Sequence, residues 1–232
     1  MYKYLLFIFL SFTKIDCFSQ AVLPLKDRVR AIEEIQKDRL ENLLPQLMER
    51  EKIDCWVIIT REYNEDPIIK SLLPPTWLNA RRRTILVFTL DESSNKVNMA
   101  AITRYSFGSL IESVWDKEKE PDQMKALVDY LKLKNPKKIG INISDTYGIA
   151  DGLSVTDHKL LMNYLPKPLK KRVISSEPLA VSWVETRTEK EMILFSHLTE
   201  ITHNIIKEAF STVVITPGVT TTDDVVWWMR EK

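Results

Sequence analysis

The sequence predicts an α/β fold with a mixed β-sheet flanked by helices, followed by an all-helical segment. Three observations carry this. Apolar strand-like runs alternate with helix-periodic stretches from about residue 27 to 176. One pair of runs is joined by the short polar link Asp91-Glu92-Ser93-Ser94-Asn95-Lys96, a hairpin embedded among crossovers, so the sheet is mixed. After Glu177-Pro178 the strand-like runs stop and helical periodicity takes over.

The elements follow in order. Between 27 and 44, Val29, Ile32, Ile35, Leu40, Leu43 and Leu44 recur at helical spacing, and Pro45 is expected to break or restart that helix. IDCWVIIT (53–60) is a continuous apolar run, as expected of a central strand. A polar turn leads to a short helix around 68–73, ended by Pro74-Pro75. TILVFTL (84–90) and VNMAAIT (97–103) are the two strands of the hairpin. Pro121 and Asp122 open a helix that Asn135-Pro136 closes. KIGINI (138–143) is a strand, 156–165 a helix ended by Pro166 and Pro168, and 172–175 a final edge strand. Ser176 caps a helix with Pro178 in its first turn. A long amphipathic helix then begins at a capping box, either Thr186 with Glu189 or Thr188 with Glu191. Met192, Phe195, Leu198, Ile201, Ile205 and Ala209 form its apolar stripe. A turn at Thr216-Pro217-Gly218 leads to a closing helix that starts from the threonine run 220–222.

Composition restricts the function classes. The 232 residues are 44% hydrophobic and 28% charged, ordinary for a globular protein. Thirty-three basic residues against thirty-two acidic leave a formal charge of +1 and no electrostatic case for nucleic acid or an anionic membrane. At the N-terminus, Lys3 precedes the apolar run YLLFIFLSF (4–12), too short to span a bilayer, and Cys17 and Ser19 stand at cleavage spacing. Residues 1–20 therefore read as a signal peptide, which places the mature chain outside the cytoplasm, secreted or periplasmic, with no membrane attachment once the leader is removed. Lys14 and Asp16 disfavour the alternative of a buried N-terminal helix. Cys55 then stands alone, with no internal disulfide open to it, and its apolar run marks it as a packing thiol.

No local pattern builds a catalytic centre. His197 and His203 are separated by about 600° of helical turn and face apart. His158, beside Asp157, reads as a residue of a helix start, and Asp223 and Asp224 as first-turn acids complementing a helix dipole. There is no Gly-rich phosphate loop and no nucleophile elbow. Trp115 reads as a packing residue in a loop.

The order Arg187-Thr188-Glu189-Lys190-Glu191, long helix, Pro217-Gly218-Val219-Thr220 resembles the start of the pita-bread catalytic domain of the creatinase/aminopeptidase P metallopeptidases. There, a basic residue four positions before a glutamate opens the first long helix, and a PGVT turn leads into the second. ENLLPQLMEREKIDCWVIITREYNEDP (41–67) resembles the first helix and strand of the creatinase-type N-terminal domain. The resemblance implies residues 21–180 as a creatinase-like N-terminal α/β domain and 181–232 as an incomplete start of the pita-bread domain. It implies a secreted Xaa-Pro aminopeptidase-like hydrolase that uses two divalent metal ions, Mn or Zn. Its ligands, two aspartates, a histidine and two glutamates, lie downstream of the helices present, so no catalytic or metal-ligating residue and no cofactor is expected in this chain. The chain is then expected to be inactive alone, with its closing helix carrying partly exposed Val225, Val226, Trp227 and Trp228. A homo-oligomer is implied as partner, with a peptide substrate in the complete enzyme. Arg61 and Arg82 flank strand ends, where α/β sheets place binding residues, and are the candidate substrate contacts; solvated loop arginines are the alternative. A stand-alone, non-catalytic binding or oligomerisation module is the alternative function.

Overall fold

The computed structural model describes residues 22–232, so the predicted leader lies outside the described residues. Contacts divide the described residues into two compact units, one of Asp27–Glu200 and one of Ile201–Lys232 with residues 22–26.

The larger unit is built on a five-stranded mixed sheet in the order β3-β2-β1-β4-β5. Its strands are β1 (Cys55–Arg61), β2 (Arg83–Asp91), β3 (Lys96–Ala101), β4 (Ile139–Ile141) and β5 (Val173–Ser175). The β1–β2 and β2–β3 pairs are antiparallel, and β1–β4 and β4–β5 are parallel. The apolar run predicted to be central is the central strand β1, buried from Cys55 to Thr60, and β5 lies at the edge. The α-helices of the described residues are α1 (Leu25–Asp38), α2 (Leu44–Arg50), α3 (Ile69–Leu72), α4 (Gln123–Lys134), α5 (Val155–Tyr164), α6 (Lys167–Lys170), α7 (Glu177–Glu185), α8 (Glu189–Ala209) and α9 (Thr222–Glu231), with a π-helical turn at Arg39–Leu43 and a 3-10 turn at Gly148–Ala150.

Two-residue alternation along β1 makes two cores. Trp56 and Ile58 face Leu44, Leu47, Leu179 and Trp183 of α2 and α7. Cys55, Val57 and Ile59 face Met124, Leu127, Leu131 and Leu161 of α4 and α5. The short α6, whose Leu169 joins the second core, was unforeseen because prolines at 166 and 168 read as a stop.

Helix ends follow local chemistry. Asp122 caps α4 by accepting from the amides of Met124 and Lys125, and Asn135 closes it in a left-handed conformation. In the hairpin, the Asp91 carboxylate accepts from the Ser93 amide and from both serine hydroxyls. Pro45 does not break the chain's helical course. Arg39–Leu43 widens into a π-helical turn in which the Leu44 amide donates five residues back to Arg39, and Pro45 falls in the first turn of α2, where its missing N–H costs nothing.

One expectation is corrected here. Ser176 precedes α7 but its hydroxyl is used elsewhere; the Ser175 hydroxyl accepts from the Glu177 amide instead. The stripe on α8 is largely uncovered: Met192, Phe195 and Leu198 are exposed, Ile201 and Ile205 are half-buried, and Ala209 is buried.

In the smaller unit, Gly218 takes a left-handed conformation (φ +79°) in the predicted Pro-Gly turn. Thr221 caps α9 in a reciprocal box with Asp224. Val225 is buried, against the expectation that it stays partly exposed, whereas Trp227 is 60% exposed.

Candidate functional site

The carboxyl ends of the parallel strands β1, β4 and β5 share one edge of the sheet, and antiparallel β2 starts there. From β1 the chain turns toward β2 on one side, while β4 lies on the other. Open α/β sheets bind ligands at such a divergence. In this protein, polar side chains from β1, β2, α4 and α5 meet there.

Arg61 is the last residue of β1, and its guanidinium grips Asp157 in a two-pronged ion pair, Nε–Oδ2 2.6 Å and Nη2–Oδ1 2.7 Å. Arg83, opposite Arg61 in the β1–β2 ladder, approaches the same carboxylate at 3.4 Å. Asp157 lies in the first turn of α5, its side chain 1% exposed, and Ser154, the cap of that helix, donates to it at 2.9 Å. Burial pushes the Asp157 carboxyl up, but the hydrogen bonds of Arg61 and Ser154 and the charges of Arg61 and Arg83 outweigh it and hold it below the usual carboxylate range. Gln123 locks Arg83: its Oε1 accepts from Arg83 Nε at 3.0 Å, while its Nε2 donates to the carbonyls of Arg83 and Ile102.

Arg82 is placed differently. It is exposed in a left-handed conformation (φ +50°), and its backbone exchanges hydrogen bonds with Glu62: Glu62 N to Arg82 O at 2.6 Å, Arg82 N to Glu62 Oε2 at 3.0 Å. Tyr63, the next residue along, is also left-handed (φ +67°) and 90% exposed. The structure thus separates the two predicted arginines: Arg61 is bound into the fold, while Arg82 stands at the tip.

Beside this pair lies a buried polar relay. Asp66 is fully buried; its Oδ1 accepts from the Ile68 amide and its Oδ2 from Asn142 Nδ2, both at 2.8 Å. Asn142 Oδ1 in turn accepts from the Trp56 indole at 2.8 Å and the Ser176 hydroxyl at 2.6 Å. Burial raises the Asp66 carboxyl to about 6, against the lowering effect of the Asn142 and Ile68 hydrogen bonds, and Asp151 adds to the rise. A Cβ at Gly152 would overlap the Asp66 carboxyl, so only glycine lets that loop close over it.

A cleft of ≈ 750 Å³ on the other side of the unit is lined by Ile32, Gln36, Arg39, Trp77, Leu78 and Glu191. At its base, Arg39 stacks over the Trp183 ring at 4.3 Å and pairs with Glu191 at 2.7 Å. Glu191 also accepts from the Thr188 amide, which selects Thr188–Glu191 as the capping box over Thr186–Glu189.

Cys55 is buried, and burial with the nearby Asp54 charge pushes its thiol far above the ordinary range. Trp115 donates to the Glu120 carbonyl and packs on the second core. His158 lies in α5, and His197 and His203 are exposed on α8. Asp223 and Asp224 are exposed in the first turn of α9, where Asp224 caps. Among the described residues, no group of three or more His, Cys, Asp or Glu side chains is placed to hold a metal ion, and no helix is long and apolar enough to cross a membrane.

Neither the Asp66–Asn142 relay nor the Arg39–Glu191 pair is marked in the sequence, since Asp66, Asn142 and Arg39 each lie in an ordinary polar context. Asp157 did carry a signal, the Ser154-x-x-Asp157 spacing of a helix cap, which marks a helix start but says nothing of Arg61.

No family profile and no curated protein sequence matches the chain. Among solved structures, an Xaa-Pro dipeptidase from Bacillus anthracis is similar with a TM-score of 0.47 at 11% sequence identity, over 90% of this chain and 49% of that one. The chain therefore spans about half the length of that protein.

Proposed function

We propose that the chain is the N-terminal portion of a secreted Xaa-Pro aminopeptidase-like metallopeptidase, serving assembly and substrate restriction. In this reading the two metal ions and their ligands belong to sequence outside this chain, and the chain alone does not hydrolyse peptides. The observation that carries the reading is the succession of local structures at the residues of the resemblance. A mixed α/β unit leads through the Thr188–Glu191 capping box into α8, and the Gly218 turn leads to the Thr221–Asp224 box of α9. Substrate restriction is assigned to Arg82, whose exposed position leaves its guanidinium able to meet a peptide, and Arg61 supports that tip from behind through Asp157.

The test begins with the intact mass of the native protein and its Xaa-Pro peptide hydrolysis with added Mn²⁺ or Zn²⁺. Activity is expected in a species much larger than this chain, and none in the chain alone. Hydrolysis by the chain alone would overturn the reading. In the larger species, Arg82→Ala is expected to raise KM for longer peptides more than for dipeptides; unchanged length preference would remove Arg82 from the proposal.

A second reading is a stand-alone binding or oligomerisation module. It is favoured by the exposure of Ile193 (73%) and Phe195 (54%) on α8. A native mass equal to the chain without its leader, with self-association lost on removal of 186–232, would select it.

A further inference from the structure

Asp66 lies where β1, the turn into α3, and the connection from β4 to α5 meet. Among the described residues the charged group facing it is Asp151, from that connection. The other three sides present neutral groups: Thr60 on β1, whose hydroxyl accepts from the Asp66 amide at 2.8 Å, the Ile68 amide, and the Asn142 side chain. Both carboxylate oxygens therefore face donors, an arrangement that suits the ionised group alone.

We infer that Asp66 is a proton-operated switch that sets the orientation of the Asn142 amide and, through it, the hydrogen bonding of the Trp56 indole. A proton on Oδ1 would face the Ile68 N–H, which the backbone holds in place. A proton on Oδ2 would face the Asn142 NH₂, which can rotate. Proton uptake thus leads to inversion of the Asn142 amide, so that Asp66 donates to Asn142 Oδ1. The inverted NH₂ then meets two groups. The Ser176 hydroxyl can accept from it. The Trp56 indole is a donor and cannot, so Trp56 loses its 2.8 Å partner and retains only the Ser176 hydroxyl at 3.2 Å.

The switch is connected to the fold at both ends. Trp56 is fully buried in β1 and meets Trp183 of α7 edge-on at 6.4 Å. Ser176 is the residue from which α7 begins. The Asp66 carboxyl also lies against Gly152, so relief of the Asp66–Asp151 repulsion acts on the segment leading into α5. A proton taken up at one buried carboxyl is in this way felt at the starts of α5 and α7. The inference is independent of the peptidase reading.

The indole N–H resonance of Trp56, identified by its loss in Trp56→Phe, reads the switch directly in the chain as described. Between about pH 4.5 and about pH 8, an interval that brackets a raised carboxyl, it is expected to shift to higher field on acidification with a midpoint near 6. Asp66→Asn presents a permanent donor and is expected to hold the acid position at every pH. Asp151→Asn removes the facing charge and is expected to keep the transition but lower its midpoint. A resonance that stays in place in the parent protein overturns the proposal, as does a transition that persists in Asp66→Asn. If Asp66→Asn fails to fold, the Asp151→Asn midpoint decides, and an unmoved one overturns it.

Discussion

Arg39 and Glu191, far apart in sequence, meet at 2.7 Å with side chains only 8% and 18% exposed. The π-helical turn that begins at Arg39 lets the guanidinium donate to the carbonyls of Trp183 and Thr186 as well, at the end of α7. One side chain thus ties the N-terminal helices to the junction where α7 gives way to α8.

Removing that tie leaves Glu191 and two carbonyls short of a partner. Arg39→Met is expected to destabilise the protein by about 3–4 kcal/mol, as for a broken buried ion pair. Arg39→Lys should recover little, because an ammonium cannot match the planar fork or the stacking on Trp183. Denaturant unfolding of the two variants checks both.

Asp157 should make the fold acid-sensitive. Its carboxyl is held below the usual range, so its contribution is present above the ordinary carboxylate pKa and lost as pH falls through the lowered value. Asp157→Asn is expected to cost about 2 kcal/mol near neutral pH, the scale of charge-assisted hydrogen bonds, and to cost progressively less in acid. Unfolding free energies at neutral and acid pH measure the difference.

Asp66 works in the opposite direction. Its carboxyl rises from 3.8 to about 6 in the folded state, so the native protein binds this proton more tightly than the unfolded chain. The stabilisation is complete below the unfolded pKa and is lost as pH rises through the folded one. Asp66 alone should then lower stability by about 3 kcal/mol across that interval. Asp66→Asn should abolish this slope, as shown by denaturant midpoints taken across the interval.

Gly152 must remain glycine for the Asp66 site to close. Gly152→Ala sets a methyl group against the carboxyl and is expected to destabilise by about 1–3 kcal/mol, the usual cost of overpacking. Thermal unfolding checks it, and pairing it with Asp66→Ala should recover part of the loss.

Cys55 should be inert in the folded protein. Its thiol is buried and pushed far up, so the reactive thiolate is scarce and inaccessible. Thiol labelling is expected to proceed only at the rate of unfolding. Fast labelling under native conditions would contradict the placement of β1.

The sequence by itself determined the order of the main elements, the mixed sheet with its hairpin, the central place of the 53–60 run and the helix start at Asp122, and it narrowed the later caps to Thr186 or Thr188 and to the threonine run 220–222. Those features depend on neighbours a few residues apart: periodicity, side-chain oxygens reaching nearby amides, and proline or glycine at turns. The tertiary structure alone decided which of the predicted arginines is engaged. Arg61 and Arg82 stand in equally polar contexts, yet only Arg61 meets a buried carboxylate 96 residues away. It also decided that Ser176 serves Asn142 rather than its own helix, and that a π turn carries the chain past Pro45. Pairings between distant residues depend on how the sheet's edge and the helices close over one another, and no local pattern of residues encodes that.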